Sequence, residues 1–251
     1  MSGQVKIVDR LEFRGAASHE QNIKGPVHPE MVHFHDHFTD DTISGDSWLA
    51  TVTAATIAVD HATYRGGMAL ITTAASADGE ACFLATPLCW EDDLNAIAEA
   101  KILITDVSGV CLYFGFSDAT LETTPDMPID YDGGALAAVA TNAVGIVADA
   151  DDTVNGASSI VAVGVNNGTP ETAIDSGTDW ANGKWHTLRV ELNADGDAEF
   201  FLDGARFGFM ETAIVSGTAM CIIVGVANRD TGADTVYVDR VDGWEDEEIN
   251  T

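Results

Sequence analysis

Basic residues are scarce in this sequence of 251 residues, and their scarcity excludes two classes of partner. Only 11 Lys and Arg stand against 41 Asp and Glu, which gives a formal net charge of −30 with neutral histidine. Nucleic-acid binding depends on a basic face that displaces counterions from the phosphates, so no nucleic acid is expected as a partner. The same charge argues against docking on an anionic membrane surface.

Cysteine is also rare, and no two cysteines form a C-x-x-C pair. The four residues are Cys82, Cys89, Cys111 and Cys221. Their scatter through apolar runs excludes a disulfide framework and is typical of buried thiols in a reducing compartment. No run of 18 apolar residues occurs, and the first residues do not resemble a signal peptide. We therefore expect neither membrane insertion nor secretion.

Apolar residues, in contrast, are plentiful. Hydrophobic residues make up 46% of the chain, and the mean hydropathy is +0.07. Such a chain is too apolar to stay unfolded through the repulsion of its charges. At this length, folding buries roughly 70–75% of the surface of the extended chain, so neither a metal nor a cofactor is needed for stability. We predict one sizeable domain with an acidic surface, and no cofactor.

The first 37 residues differ in charge from the remainder. They hold four of the 11 basic residues, five acidic residues and five of the seven histidines, whereas the rest carries seven bases and 36 acids. We expect residues 1–37 to form an arm that packs on something other than its own domain. Residues 38–251 would then form the domain, with a short acidic tail at its end.

Apolar and charged residues alternate near the start of this arm, with the period of a half-buried strand. The residues expected to contact a partner are Val5, Ile7, Arg10, Leu11, Phe13 and Arg14. Such a strand fits the sheet edge of a neighbouring subunit or partner. It fits the first strand of the domain itself equally well, because periodicity does not show which sheet a strand joins.

Short apolar or alternating runs, separated by Gly, Asp and Asn, fill the rest of the chain with little helical period. The predicted strands are 48–58, 67–73, 81–86, 96–105, 109–116, 135–148, 158–165, 185–193, 197–203, 206–210, 218–227 and 235–241. So many strands without interleaved helices predict an all-β protein with a two-sheet antiparallel sandwich.

The best-defined hairpin spans residues 185–203, with its turn at 194–196. Because successive residues of a strand point to opposite faces, Val190 and Phe200 are predicted to face inward. Glu199 is then predicted to lie on the polar outer face.

This hairpin resembles an element of the concanavalin A-like lectin/glucanase jelly roll, in which W-H-x-L-R-(apolar)-E leads a hairpin that ends in an apolar-Asp-Gly turn. The matching segment runs from Trp180 to Gly204. Stretches 110–118 and 142–150, and the closing stretch 236–244, are similar to versions of that fold in tailed-phage structural proteins. The resemblance implies a jelly roll over residues 38–245 and a place in a virion.

Hydrolases of this fold carry E-x-D-x-E or E-x-D-x-x-E on one strand, which sets the nucleophile and the acid roughly 5–5.5 Å apart. The sequence contains neither pattern. Its nearest acidic clusters, 91–93, 149–152 and 245–248, lie in loop-like or terminal positions. We therefore expect no catalytic carboxylate pair, and a protein that is not an enzyme.

Two sequence patterns suggest metal ligands. In His33-Phe-His-Asp-His37, alternate imidazoles share one strand face, and His33 and His35 could hold a transition metal. A polar strand face is preferred, because three histidines on one strand do not converge easily and no fourth ligand is identified. Asp149 and Asp151 loosely resemble a calcium loop, but its twelfth position is Ile160 instead of a bidentate Glu, which favours an ordinary acidic loop.

Tryptophans near strand ends are candidates for a glycan platform. A ring face suits the apolar face of a pyranose, and Trp48, Trp90 and Trp180 are placed near strand ends by the predicted strands. The alternative is that each ring belongs to the core or its rim, which is the more frequent location of tryptophan.

Together these observations predict a non-enzymatic structural protein of a tailed-phage virion, made in the host cytoplasm and displayed on the capsid as a decoration or cementing protein. The arm of low charge would bind the major capsid protein at little desolvation cost, and many symmetric copies would add avidity. Homo-oligomerisation, with a trimer as first choice, would strengthen the attachment. The alternative is a lectin-like carbohydrate-binding module of a fibre or surface protein, which would bind a surface glycan.

Overall fold

The computed structural model describes residues 31–52, 55–63, 66–74, 81–119 and 126–246. In chain order its strands are β1 (Met31–Asp36), β2 (Leu49–Val52), β3 (Thr56–Val59), β4 (Ala69–Thr72), β5 (Ala81–Ala85), β6 (Trp90–Glu91), β7 (Ile97–Ile104), β8 (Val110–Ser117), β9 (Ile129–Asp132), β10 (Ala135–Ala138), β11 (Ala143–Asp149), β12 (Ser159–Asn166), β13 (Thr169–Pro170), β14 (Ile174–Asp179), β15 (Trp185–Leu192), β16 (Ala198–Leu202), β17 (Ala205–Met210), β18 (Ala219–Asn228) and β19 (Thr235–Asp246). One 3₁₀ turn, Asp92–Leu94, is the helical segment of this described part, and it contains no helix of the length and hydrophobicity that crossing a bilayer requires.

The strands form two large antiparallel sheets. The first sheet has the order β17-β16-β15-β7-β19-β4-β3, with β1 beside the far half of β19. The second has the order β13-β12-β11-β8-β18-β5-β2, with β14 beside β12 and β6 beside β18. The predicted two-sheet antiparallel sandwich is confirmed.

The main core lies between the two sheets, and the 185–203 hairpin shows how the sequence builds it. Along β15 buried residues alternate with half-buried ones, and β16 has the same alternation. Val190 and Phe200 are Cα partners across the two strands, and both are fully buried. The predicted register of this hairpin is confirmed.

The outer face of the second sheet is also buried, because the chain covers it with a small hairpin of β9 and β10. Ile129 and Tyr131 of that hairpin belong to a second apolar cluster with Phe83 and Tyr113. At Gly145 in β11, a Cβ atom would lie 2.8 Å from Cζ of the Tyr113 ring, so only glycine lets the ring lie flat on the sheet. This sheet therefore has no open outer face along β8 and β11.

Two of the stretches that were predicted as single strands each contain two strands, which belong to different sheets. The stretch 48–58 contains β2 of the second sheet and β3 of the first, and 135–148 contains β10 and β11. In both stretches the apolar run continues through the break, so hydrophobicity alone does not mark the change of sheet.

The last described part of the predicted arm belongs to the first sheet. Residues 31–36 form β1, which pairs antiparallel with the end of β19. The Phe34 ring packs against Trp48 at 5.2 Å between ring centroids. Residues 1–30, including the predicted contact strand from Val5 to Arg14, lie outside the described residues.

Removal of residues 1–37 is expected to destabilise the domain. The deletion takes away the strand partner of β19, the Phe34 ring, and the Asp36 carboxylate that accepts a hydrogen bond of 2.7 Å from the indole nitrogen of Trp48. Loss of the partial burial of Phe34 alone should cost about 1–2 kcal/mol. Thermal unfolding of chains that begin at residues 31 and 38 checks this, and equal melting temperatures would contradict it.

Candidate functional site

The outer face of the first sheet is the surface on which half-buried and exposed side chains gather. Trp185, Arg189 and Glu191 rise from it along β15, because the residues between them point into the core. Glu199 and Phe201 occupy the same face of β16. We call this surface, together with Lys101 of β7 and with Arg206 and Phe209 of β17, the open face.

Three aromatic rings on the open face each lie close to a cationic side chain. The ring-centroid distances are 5.0 Å from Lys101 Nζ to Trp185, 5.1 Å from Arg189 Cζ to Phe201 and 5.4 Å from Arg206 Cζ to Phe209. Distances below about 6 Å are those of cation–π pairs, which hold the rings and the cations in fixed positions. The open face thus combines flat apolar surfaces with hydrogen-bond donors.

A pair of glutamates lies beside Phe201 and Phe209 on the open face. Glu191 and Glu199 are directly opposed Cα partners of β15 and β16. Arg189 forms an ion pair with Glu191, and Arg206 Nη1 lies 3.1 Å from Glu199 Oε1. The Glu199 side chain is 37% exposed and that of Glu191 20% exposed. The pair was missed in the sequence because it spans two strands instead of following one.

The predicted calcium ligands have another role. Asp149 is buried at the end of β11, where its two carboxylate oxygens each accept a hydrogen bond of 2.8 Å from Arg229. Arg229 also donates to Asp130, and its Nε atom lies 3.7 Å from a carboxylate oxygen of Asp151. Burial raises the pKa of Asp130, even though Arg229 favours its charged form. A buried guanidinium therefore occupies the place that the sequence suggested for a cation.

The three predicted platform tryptophans belong to the core. Trp48, Trp90 and Trp180 are 3%, 2% and 2% exposed. Each indole N–H donates to a nearby oxygen, which is how buried tryptophans satisfy their one donor. The three rings cover the edges of the sandwich at strand ends, and their faces are too buried to serve as a glycan platform.

Both predicted histidine ligands approach one carboxylate. His33 and His35 point from β1 towards Asp242 of β19, whose side chain is 3% exposed. Burial opposes ionisation of Asp242, but the neighbouring imidazoles of His33 and His35 and the charge of Arg240 hold its pKa well below the ordinary value. Asp242 could not be identified from the sequence pattern, because it lies 207 positions from His35.

An open pocket of about 320 Å³ lies on the other side of the molecule, beside the β9–β10 hairpin. Tyr131, Asn155 and Glu171 contribute polar groups to its lining, and Leu136 and Val154 apolar ones. Asn155 donates a hydrogen bond of 2.9 Å to the Tyr131 hydroxyl. Its volume lies at the lower end of the range for small-molecule sites.

Comparisons with known proteins establish the fold. No protein-family model matches the chain, and no curated protein matches it. Among solved structures, a Bacillus licheniformis β-glucanase is 12% identical, with a TM-score of 0.55 over 84% of this chain and 96% of that one. A LamA variant from Zobellia galactanivorans, solved with laminaritriose and laminaritetraose, is 13% identical, with a TM-score of 0.57 over 86% and 99%.

A sialidase is similar over only part of its own length. It is 13% identical, with a TM-score of 0.54, and the match covers 84% of this chain but 18% of that chain. At such identities the similarity concerns the jelly-roll fold, in agreement with the concanavalin A-like resemblance.

These findings correct the expectation of a non-enzymatic capsid decoration protein. The solved structures that share the fold include a β-glucanase and a sialidase, which are carbohydrate-active enzymes. That expectation relied on the similarity of a few strand sequences to phage proteins and on the lack of one linear motif.

Proposed function

We propose that this protein is a carbohydrate-active enzyme that binds a glycan chain along the open face and hydrolyses it with Glu191 and Glu199. The observation that carries the proposal is the direct opposition of these two glutamates next to two aromatic–arginine pairs. The β-glucanase and the LamA complex with laminari-oligosaccharides make β-glucans the first substrate class to test.

Two directly opposed glutamates reduce the stability of the fold. Like charges placed directly across two antiparallel strands destabilise the pair. Arg189 and Arg206 each offset one of these charges. The Cβ atoms of directly opposed residues are roughly 4.5–5.5 Å apart, and retaining glycosidases hold their two carboxyl groups roughly 5–5.5 Å apart. The spacing therefore suits a nucleophile and an acid/base.

The surroundings of the two glutamates suggest their separate roles. Glu191 is the more buried and is paired with Arg189, which favours the ionised form that a nucleophile needs. Glu199 is the more exposed, so it has access to the water that completes the second step of a retaining reaction. We assign Glu191 as nucleophile and Glu199 as acid/base.

The aromatic rings supply a binding surface that extends from the pair along β15. Trp185 lies four residues from Arg189 on β15, which corresponds to roughly 13 Å along the strand. Phe201 and Phe209 lie beside the glutamates on β16 and β17. A chain of several sugar rings is therefore a better fit to the open face than a single sugar.

Release of reducing ends from laminarin and from mixed-linkage β-glucan tests the proposal. Glu191→Gln and Glu199→Gln should each lower the rate roughly 100-fold or more while the glycan still binds, because the change removes an acid–base group and keeps the side-chain shape. Trp185→Ala should weaken binding. Glu171→Gln is the matched control, since Glu171 lines the pocket beside β9 and β10 instead of the open face.

Other outcomes would contradict the proposal in separate ways. Turnover that survives in both glutamine variants would place catalysis elsewhere. Loss of binding in Glu171→Gln but not in Trp185→Ala would move the glycan to the pocket beside the β9–β10 hairpin. Failure of the wild-type protein to cleave any tested glycan would remove the enzymatic assignment of Glu191 and Glu199.

A further inference from the structure

A second chemical cluster lies where the first described strand joins the last. His33 and His35 of β1 lie opposite Trp244 and Asp242 of β19. His33 Nε2 is 3.8 Å from Asp242 Oδ1, and His35 Nδ1 contacts the same oxygen. One ligand atom from each of these three residues lies within 4.8 Å of the other two.

We propose that His33, His35 and Asp242 bind one divalent transition-metal ion, with zinc as the first choice. Two imidazole nitrogens and one carboxylate oxygen are the donor types that zinc takes in proteins. Zinc lies about 2.0–2.2 Å from such ligands, so neighbouring ligand atoms in a tetrahedral site stand roughly 3.3 Å apart. The cluster reaches this spacing with small side-chain shifts: His33 moves closer to Asp242, and the close His35–Asp242 contact opens. The site is independent of the proposed glycan hydrolysis.

A simple pairing of histidines with Asp242 leaves one polar atom of the His33 imidazole unsatisfied. Its Nε2 atom is buried and has no hydrogen-bond partner within the part of the chain that the structure describes. A buried polar atom without a partner costs free energy. Coordination of a metal by this nitrogen, with its lone pair aimed towards Asp242, removes that cost.

The neighbours of the cluster hold its ligands in place. The Trp244 ring stacks on His33, with centroids 5.4 Å apart and planes 11° from parallel. Arg240 Nε donates a hydrogen bond of 2.9 Å to Asp242 Oδ2, which leaves Oδ1 directed at the histidines. Such outer contacts orient metal ligands and are part of most protein metal sites.

The local charge also favours a dication. Arg240 is offset by both Asp242 and Glu99, whose carboxylate oxygen lies 2.6 Å from Arg240 Nη2. The His37 ring lies edge-on to His35, with 4.1 Å between centroids, so the fourth position falls to His37 or to a water.

Calorimetric titration of the chelator-treated full chain with zinc chloride tests the site. We expect one equivalent to bind, and bound cobalt to show the visible absorption of tetrahedral coordination. His33→Ala and His35→Gln should each weaken zinc binding roughly 100-fold. His61→Ala is the matched control, because His61 Nε2 also lies near a carboxylate, 3.9 Å from Asp41, but on the surface.

Circular dichroism of each variant separates loss of the ligand from loss of the fold. Weakened binding in His37→Ala as well would support the site with four protein ligands. Zinc binding that is unchanged in both His33→Ala and His35→Gln would overturn the proposal, as would the failure of zinc and cobalt to bind the wild-type chain. Glu199→Gln should leave zinc binding unchanged, so the failure of one proposal does not depend on the other.

Discussion

Phe200→Ala is expected to lower the free energy of unfolding by about 3–5 kcal/mol. Phe200 of β16 is fully buried between the two sheets, opposite Val190 of β15. Its ring lies 6.1 Å, centroid to centroid, from Phe207, and Gly208 of β17 is its Cα partner on the other side. Truncation to alanine leaves a cavity that the paired strands cannot close, so the loss of transfer free energy and the cost of the cavity add.

The control for this prediction is the adjacent residue. Glu199→Ala should change the free energy of unfolding by no more than about 0.5 kcal/mol. It removes a solvent-exposed ion pair with Arg206, which contributes little, and it also relieves the repulsion from Glu191. Urea unfolding with an unchanged slope measures both effects. Equal losses in the two variants would show that the inward and outward assignments of β16 are wrong.

This hairpin was predictable because all the information it needs is local. Alternation with a period of two fixes which side chains face inward, and the turn at 194–196 fixes which residues are opposed. The same alternation places Glu191 and Glu199 on one outer face. The sequence thus contained the glutamate pair, but the search for a motif along a single strand did not detect it.

The strands of the second sheet were harder to interpret. All residues of β8 and of β11 are buried, so their apolar runs have no period that distinguishes the inner face from the outer one. The covering hairpin of β9 and β10 was not predicted as a pair. A sequence-based reading therefore finds these strands but not the closed outer face above them.

For a related reason, the candidate platform tryptophans lie in the core, which was the alternative that the sequence left open. Proximity to a strand end does not determine exposure, since an indole at the end of a strand can fold over the edge of the sandwich. Trp48 does so and donates to Asp36, whereas Trp185, which was not singled out, lies half-buried on the open face. Exposure depends on which strand lies next to the ring, and that is a property of the topology.

The histidine pattern on β1 and the acidic pattern after β11 meet partners that are remote in sequence. Asp242 approaches His35 from 207 positions away, and Arg229 approaches Asp149 from 80 positions away. Neither partner belongs to a local motif. Composition and spacing identified the histidines and the aspartates as candidate ligands. Which residue each of them contacts depends on the pairing of β1 with β19 and on the turn after β18.

The Asp149–Arg229 pair leads to the other large prediction. Asp149→Ala should lower the free energy of unfolding by about 3–5 kcal/mol, because the guanidinium of Arg229 then remains buried without its main counter-charge. The Arg229 side chain is 7% exposed and donates a hydrogen bond to each carboxylate oxygen of Asp149. The change also removes the acceptors for the backbone N–H groups of Tyr131 and Asp151, which hold the β9 strand and the turn after β11.

Asp151→Ala is the matched control, since it removes a carboxylate from the same turn that is 39% exposed and 3.7 Å from Arg229. Its effect should stay below about 1 kcal/mol, because solvent screens a pair of this kind. Asp149→Asn should lie between the two, since the amide oxygen still accepts a hydrogen bond while the charge is lost. Thermal and urea unfolding with and without calcium measure all three. Equal losses for Asp149→Ala and Asp151→Ala, or a wild-type melting temperature that rises on calcium addition only while Asp149 is present, would contradict the assignment of Asp149 to Arg229.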